Sequence, residues 1–576
     1  MRAARRWLPL QVQPHEGESI DSWLEASARA MGRTVGTLAA AAKLPTTARP
    51  LWRLWLSPAQ SQSLAAATGV PPESLEAMTL SKYDGVALRL DSESHRLDPD
   101  FTFGALSWSR FCPACLRETG GRWQLRWRLG WSFACAKHNC LLVDVCPECG
   151  RHQRSTQYYR RRPSPAACRC GHPLVAVSTV RWSADYPFSW AQRTVDGIIV
   201  KGANDFGVFQ VHPQPRDEAM AAVRSLANRL LNYATDRTFT MMSIEDEATG
   251  RDTLDFLSDR ARETLNNKAP QRALDMAVGA TGALAVLEFT SIGICSDAAR
   301  WFIAGQNATD GPAEIRSCAR DNEISAAIAL KARSAEMGPE LQLRYRTATT
   351  MPCAPSLGQE RIQKKAARLP AAIWSEWASV LLSGRRKTLI LRETLSCATL
   401  LVGATIRPFV AVRLLGASEG HNVLNQRLWA LSDTNCWESM QEGLIRLSDF
   451  VEGGGGRINY ERRRQLDYSS LLSGESWQQQ TEGGTDSLLA GTTSVVAARC
   501  YLIERISGSL RLALLHHPEL DTKSLTKLVK AFRAGLTPPM VAALDERARS
   551  FLVERGVNEP VYWHPPLKLL EGLNFS

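Results

Sequence analysis

No apolar run in this chain reaches the roughly 20 residues that a bilayer-spanning helix needs. The best candidate, Leu395–Ile406, stops at Arg407-Pro408, so no membrane partner is expected. A secretory leader is not expected either. Arg2, Arg5 and Arg6 are followed by Pro9, Gln11, Gln13, Pro14 and Glu16 instead of an apolar stretch. Cytoplasmic residence is the resulting expectation, with Cys295, Cys318, Cys353, Cys397, Cys436 and Cys500 reduced. Catalytic signatures are also lacking. There is no His-Glu-x-x-His, no His-x-Glu beside a Pro-Cys-x-x-Cys, no Gly-x-Ser-x-Gly and no Walker lysine loop. The four glycines Gly453–Gly456 have neither a following Lys-Ser/Thr nor GxGxxG spacing, and read as a flexible linker. The chain is therefore expected not to be an enzyme. At 576 residues it is too long for a single core, and several domains are expected.

What the chain does have is a concentration of metal ligands. Eight of its fourteen cysteines fall between Cys112 and Cys170. Seven of these and one histidine form Cys112-x2-Cys115, Cys135-x2-His138, Cys146-x2-Cys149 and Cys168-x-Cys170. Zn²⁺ takes four tetrahedral nitrogen or sulfur ligands, and two intervening residues let a short turn aim both side chains at one ion. Nineteen residues separate Cys115 from Cys135 and eighteen separate Cys149 from Cys168, which suits a ribbon or long-looped finger. Two structural Zn²⁺ ions are expected. A catalytic zinc would keep an open position, whereas both sets here are closed by four protein ligands. His172 is an alternative to Cys170, and Cys140 is a spare thiol.

The net charge of +11 is unevenly spread. From Arg110 to Cys170 there are twelve Lys/Arg and three Asp/Glu, so most of the excess sits on the cysteine-rich segment. Such a patch points to phosphate backbones. The competing reading is that these arginines neutralise metal thiolates or pair with carboxylates elsewhere. Trp123, Leu125, Trp127, Leu129 and Trp131 alternate with Arg122, Gln124, Arg126, Arg128 and Gly130. That pattern predicts a strand with a buried indole face and a basic face. Arg122, Arg126 and Arg128 are then candidate nucleic-acid contacts, as are Arg160, Arg161 and Arg162 after Tyr158-Tyr159.

The rest of the chain reads as helical. Helices are predicted over Ile20–Met31, from a Thr34 cap to Leu44, over Gln60–Thr68 and from Glu73. Helix, glycine turn, helix is a helix-turn-helix shape, but Val35–Leu44 is alanine-rich and poor in base-reading side chains. Further helices are predicted at Glu218–Thr235, Leu254–Leu265, Ala277–Leu287, Ala371–Ser383 and Arg386–Leu415, the last broken near Pro408. Thr522–Phe532 and Pro538–Val553 form a second helix-turn-helix candidate at 522–553, in which Lys527, Lys530 and Arg533 are candidate DNA contacts. The expected architecture is mainly α and multidomain. It comprises N-terminal helix-turn-helix-like helices (1–105), a small tandem zinc-ribbon or finger module (106–180), a helical middle region (181–365) and a helical C-terminal region (366–576).

Several stretches resemble the TniQ family of bacterial transposon target-selection proteins, including the TnsD-type selectors. They are Leu8-Pro9-Leu10, Gly17-Glu18-Ser19, Ser22-Trp23-Leu24, Ala67-Thr68-Gly69-Val70 and Leu75…Met78-Thr79-Leu80. They continue with Arg110-Phe111-Cys112-Pro113-x-Cys115-Leu116, Leu129-Gly130-Trp131, Cys135-x-x-His138, Leu141-Leu142, Cys146-Pro147-x-Cys149-Gly150 and Cys168-x-Cys170-Gly171. Trp374-x-Glu376-Trp377, Tyr460-x-Arg462-Arg463-Arg464-x-Leu466-Asp467-Tyr468 and Pro560-Val561-x-Trp563-x-Pro565-Pro566 resemble C-terminal parts of long members. The resemblance implies a DNA-binding accessory protein of transposition in the bacterial cytoplasm, associated with the nucleoid. It would select a target and recruit an AAA+ ATPase, and through it the transposase. The target is a DNA sequence or a guide-RNA effector complex, and a homodimer is a further option. The eight ligands above match the family's zinc positions. Competing classes are a zinc-containing helix-turn-helix transcriptional regulator, and a nuclease or transposase with a zinc DNA-binding module.

Overall fold

A computed structural model describes residues 10–98, 101, 103–160, 164–202, 204–233, 272–303, 322–417, 421–472 and 492–575. The fold is mainly helical and multidomain. Its chain forms two compact units, Met1–Ala332 and Arg333–Ser576. Among the described residues no helix is long and apolar enough to cross a membrane.

The first unit opens with α1 (Ile20–Ala30), α2 (Val35–Ala41), α3 (Pro58–Thr68) and α4 (Pro72–Glu76). Local chemistry sets their ends. Gly32 turns at φ +61°, and the Thr34 hydroxyl accepts from Thr37 N. Ser57 and Gln60 form a reciprocal capping box, and Gly69 closes α3 in the left-handed region. Ile20, Trp23, Leu24, Leu38, Trp52 and Leu64 build the shared core. The would-be recognition helix α2 is docked within the unit. Gly36 N donates to Tyr159 O at 3.0 Å, and a Cβ at Gly36 would meet that oxygen at 2.8 Å.

The cysteine-rich segment follows, with α5 (Pro113–Glu118) and the two-residue strands β1 (Ala134–Cys135) and β2 (Cys140–Leu141). Beyond it lie α6 (Pro187–Asp196), α7 (Val208–Val211), α8 (Arg216–Tyr233), α9 (Ala273–Leu287), α10 (Ile292–Ile303) and α11 (Glu323–Ala332). The expected helix Leu254–Leu265 lies outside the described residues. Asp144 ties the segment to α9, accepting from Arg110 Nε at 2.8 Å and from Ala273 N at 2.9 Å.

The stretch 122–131 corrects the expected strand. Its middle, Leu125–Arg128, is a 3-10 turn. The indoles of Trp123, Trp127 and Trp131 are buried as expected, but so are two of the arginines. Arg122 is 7% exposed and Arg128 4%. The reason is α1. Arg122 Nε meets Glu18 Oε1 at 2.7 Å, and Arg128 meets Asp21 Oδ2 at 2.8 Å. Arg126, one-third exposed, pairs with Asp196 of α6 at 2.9 Å. These guanidiniums join the helices to the cysteine-rich segment and do not form an outer basic face.

Asp21 is the centre of that seam. Besides Arg128, its Oδ2 meets Arg154 at 2.9 Å and Arg53 at 3.5 Å, and the residue is 1% exposed. Burial opposes its ionisation, but the charges of Arg154, Arg128 and Arg53 outweigh that and hold its carboxyl well below its ordinary value. The Gly17-Glu18-Ser19 step belongs to the same seam. Gly17 sits at φ +69°, where a Cβ would strike Gln124 Oε1 at 2.7 Å. Gly17 O accepts from Leu125 N, and Ser19 N donates to Trp123 O.

In the second unit, α12 (Pro339–Arg344), α13 (Gln359–Arg368), α14 (Ser375–Leu381), α15 (Leu389–Leu401), α16 (Pro408–Leu415), α17 (His421–Ser432) and α18 (Trp437–Phe450) share one apolar core. The expected break before Pro408 separates α15 from α16. Gly453–Gly455 do not form a free linker but follow α18 directly in a wide turn over Val451–Gly455, kinked at Gly454, which sits at φ +87°. A second core gathers α20 (Thr492–Ser507), α21 (Thr522–Ala534) and α22 (Pro538–Glu554), preceded in the chain by α19 (Tyr460–Arg464). The three C-terminal stretches that resemble TniQ proteins interlock. Trp374 Nε1 donates to Tyr460 Oη at 2.9 Å, and Trp377 Nε1 to Pro565 O at 2.9 Å. Arg463, fully buried, donates to the carbonyls of Ile506, Pro560 and Val561.

Replacing Asp21 with Asn leaves three buried guanidiniums without their shared countercharge, an expected loss of about 3–5 kcal/mol in denaturant unfolding. Because the folded carboxyl titrates below its unfolded value of about 3.9, its stabilisation is complete above that pH. It is lost as pH falls through the lower folded value. The wild type should therefore lose its advantage over Asp21→Asn on acidification below about pH 4, and a constant gap would refute the assignment.

Candidate metal centres

Each cysteine pair is carried by a turn that its own residues specify. Cys112 caps α5, Pro113 takes the first helical position, where its missing N–H costs nothing, and Cys115 lies in the first turn. Cys135 sits on β1, whose pairing with β2 sets Cys135 opposite Cys140, and His138 lies in the turn between them. Gly150 and Gly171 follow the second ligand of their pairs at φ +66° and +96°, conformations that favour glycine. Cross-bridges from Phe111 to Val143 and from Val145 to His152 hold the two knuckles in one module.

The folded chain brings all eight predicted ligands together as two groups of four. These are Cys112, Cys115, Cys135 and His138, and Cys146, Cys149, Cys168 and Cys170, with the donor atoms of each group within 4.8 Å of one another. In the first group, Cys115 and Cys135 sulfurs are 3.6 Å apart. His138 Nδ1 lies 3.4, 3.3 and 3.5 Å from the sulfurs of Cys112, Cys115 and Cys135. In the second, Cys146–Cys170 and Cys149–Cys168 are 3.8 and 3.6 Å apart. Ligands on a tetrahedron with bonds of about 2.3 Å to sulfur and 2.0 Å to nitrogen have edges of about 3.8 and 3.5 Å. The residues therefore fit one small tetrahedral ion per group. Cys170 completes the second group, and His172 is not part of it. Cys140 is buried 3.8 Å from Cys112, a fourth thiol beside the three of the first group.

Sequence spacing gave no sign of the carboxylate behind His138. Glu118, at the end of α5, accepts from His138 Nε2 at 2.8 Å and from Lys137 Nζ at 2.6 Å. Those bonds, Lys137's first, lower its carboxyl pKa. They also fix the ring so that Nδ1 faces the sulfurs, the usual outer partner of a ligating histidine.

The predicted nucleic-acid residues fare unevenly. Arg122, Arg126 and Arg128 are held in the ion pairs described above. Arg160 is exposed, and Arg161 and Arg162 lie outside the described residues. Lys527 and Lys530 are exposed on α21. Arg533 pairs with Glu504 at 3.1 Å while remaining 46% exposed.

Two metal ions per chain are expected by native mass spectrometry. Cys149→Ser should lose one ion and melt the module at lower temperature, because binding free energy there is folding free energy. Retention of both ions would show that Cys149 is not a ligand. Glu118→Gln should keep the fold but weaken the first site about 10–100-fold in a chelator competition.

No curated protein matches the chain. A family model does: TniQ matches residues 9–142, a span that includes the α1 seam and the first ligand group and ends before the second. Within that span, Gly17-Glu18-Ser19 and Ser22 are joined to the segment 122–131 by backbone hydrogen bonds, the Arg122–Glu18 ion pair and the bond from Trp123 N to Ser22 Oγ. The match gives the chain a TniQ domain over residues 9–142, a domain found in transposon-associated target-selection proteins.

Proposed function

We propose that this protein is a target-selection factor of a bacterial transposon. It binds DNA through a zinc-stapled N-terminal body and recruits the element's AAA+ ATPase, which in turn brings the transposase. The observation that carries the reading is the TniQ domain built as one piece with two closed four-ligand centres. Thiolate-rich tetrahedral sets suit Zn²⁺, and sets without an open position suit a structural ion that activates no water. The metal thus shapes a surface, and the chemistry of strand transfer belongs to a partner.

The second unit supplies a further candidate DNA contact. α21 and α22 form a helical pair, with the Asp521 side chain capping α21 by accepting from Ser524 N. Lys523, Lys527 and Lys530 are exposed on α21, the first helix of the pair. Such a placement contacts the sugar-phosphate backbone and leaves base reading to other residues.

Two measurements test the proposal. The zinc-loaded protein should bind duplex DNA and co-purify with the element's ATPase, and absence of both interactions would refute it. Replacing Lys527 and Lys530 with Gln should weaken duplex binding on every sequence and make the salt slope shallower by about 2, near 0.9 per phosphate contact. An unchanged slope would exclude α21 from the DNA surface.

A further inference from the structure

The charge balance of the first unit locates its phosphate-binding surface away from the arginines that the sequence pattern singled out. Of the twelve basic residues from Arg110 to Cys170, Arg110, Arg122, Arg126, Arg128, Lys137 and Arg154 meet carboxylates, and Arg117 meets a carbonyl. Arg151, Arg160 and Arg169 are exposed and meet no carboxylate among the described residues. Arg151 and Arg169 line one groove of about 830 Å³. Arg53 and Arg154 stand in its wall, against Glu25 there and Asp21 behind it, so four guanidiniums face two carboxylates. The groove holds an excess of positive charge.

It is also built, and not merely open. Arg151 and Arg169 project from the knuckles of the second ligand group, next to Gly150 and between Cys168 and Cys170. Cys146 N donates to Arg151 O, which fixes that turn. Arg169 donates to Tyr158 Oη at 3.1 Å and lies 5.1 Å from the centre of the Tyr158 ring. The Tyr158 segment is anchored on both sides. Gln157 N donates to Ala48 O, Gln157 Oε1 accepts from Arg53, and Tyr159 O accepts from Gly36 N. Another part of the lining is the Trp108 ring stacked on His152 at 3.9 Å. Positioned guanidiniums beside aromatic faces and hydroxyls match a nucleic-acid backbone. The arginines take phosphate oxygens, and the rings take the sugar or base edge.

We propose that this groove, through Arg151 and Arg169, is the site where the first unit holds the phosphodiester backbone of duplex DNA. The inference rests on the DNA-binding reading above and goes beyond it by naming the surface. It also couples the metal to recognition, because both arginines stand on the knuckles that the second ligand group forms.

The test uses the full-length, metal-loaded protein and random-sequence duplex at several salt concentrations. R151Q/R169Q should keep two ions per chain and the wild-type thermal transition. It should bind at least about tenfold more weakly, with a salt slope shallower by about 2. If the double variant loses metal, R151Q alone should lower the slope by about 1, since only the backbone of Arg151 serves the knuckle. Restoring charge with R151K/R169K should recover most of the slope. Wild-type binding with an unchanged slope in these variants overturns the groove assignment, even if ATPase capture is lost, because the groove would then take an acidic protein surface. A metal-loaded wild type that binds no duplex overturns the DNA reading itself, an outcome visible before any variant is made.

Discussion

One buried carboxylate organises the N-terminal half of this protein. Asp21 pairs with three guanidiniums through a single oxygen, one from the loop before α3 and two from separate parts of the cysteine-rich segment. Three cations cannot be buried together without it, and a buried anion cannot stay ionised without them. The contacts of Glu18 with Arg122 and of Glu25 with Arg154 extend the seam from the residue before the α1 cap to the second turn of that helix. The helices and the metal module are thereby one body.

That body changes the meaning of the basic composition. A surplus of nine positive charges over a short segment reads as a phosphate-binding face. Much of it is spent on carboxylates supplied by residues about a hundred positions away in the chain. Among the described residues, Arg151, Arg160 and Arg169 are exposed and meet no carboxylate, and two of them, Arg151 and Arg169, stand on the knuckles of the second ligand group. The same turns thus place both the thiols and the two arginines of the proposed groove.

The C-terminal unit uses a similar device with fewer charges. Arg463 is buried among carbonyls from α20 and from Pro560 and Val561, and the Trp374 and Trp377 indoles donate into the same region. Three short stretches that lie far apart in the chain close on one another, which is why each holds aromatic or arginine residues with a polar end that must find a partner when buried.

By itself the sequence determined the helices, because caps and breakers act locally: Thr34 and Gly69 mark their ends, and Pro408 starts a new one. It pointed to the two ligand groups too, since short spacing lets a pair of side chains reach one ion, but the choice of Cys170 over His172 came from the fold. It also contained the alternation of tryptophans and arginines from Arg122 to Trp131, but not which face would meet water. Alternation is a local pattern, whereas burial depends on what approaches from elsewhere. Only the tertiary structure decided that Glu18 and Asp21 approach that stretch, that Glu118 stands behind His138, and that Arg151 and Arg169 share a groove. Each of those pairings joins residues well separated in the chain, and no spacing rule within one segment reports on them.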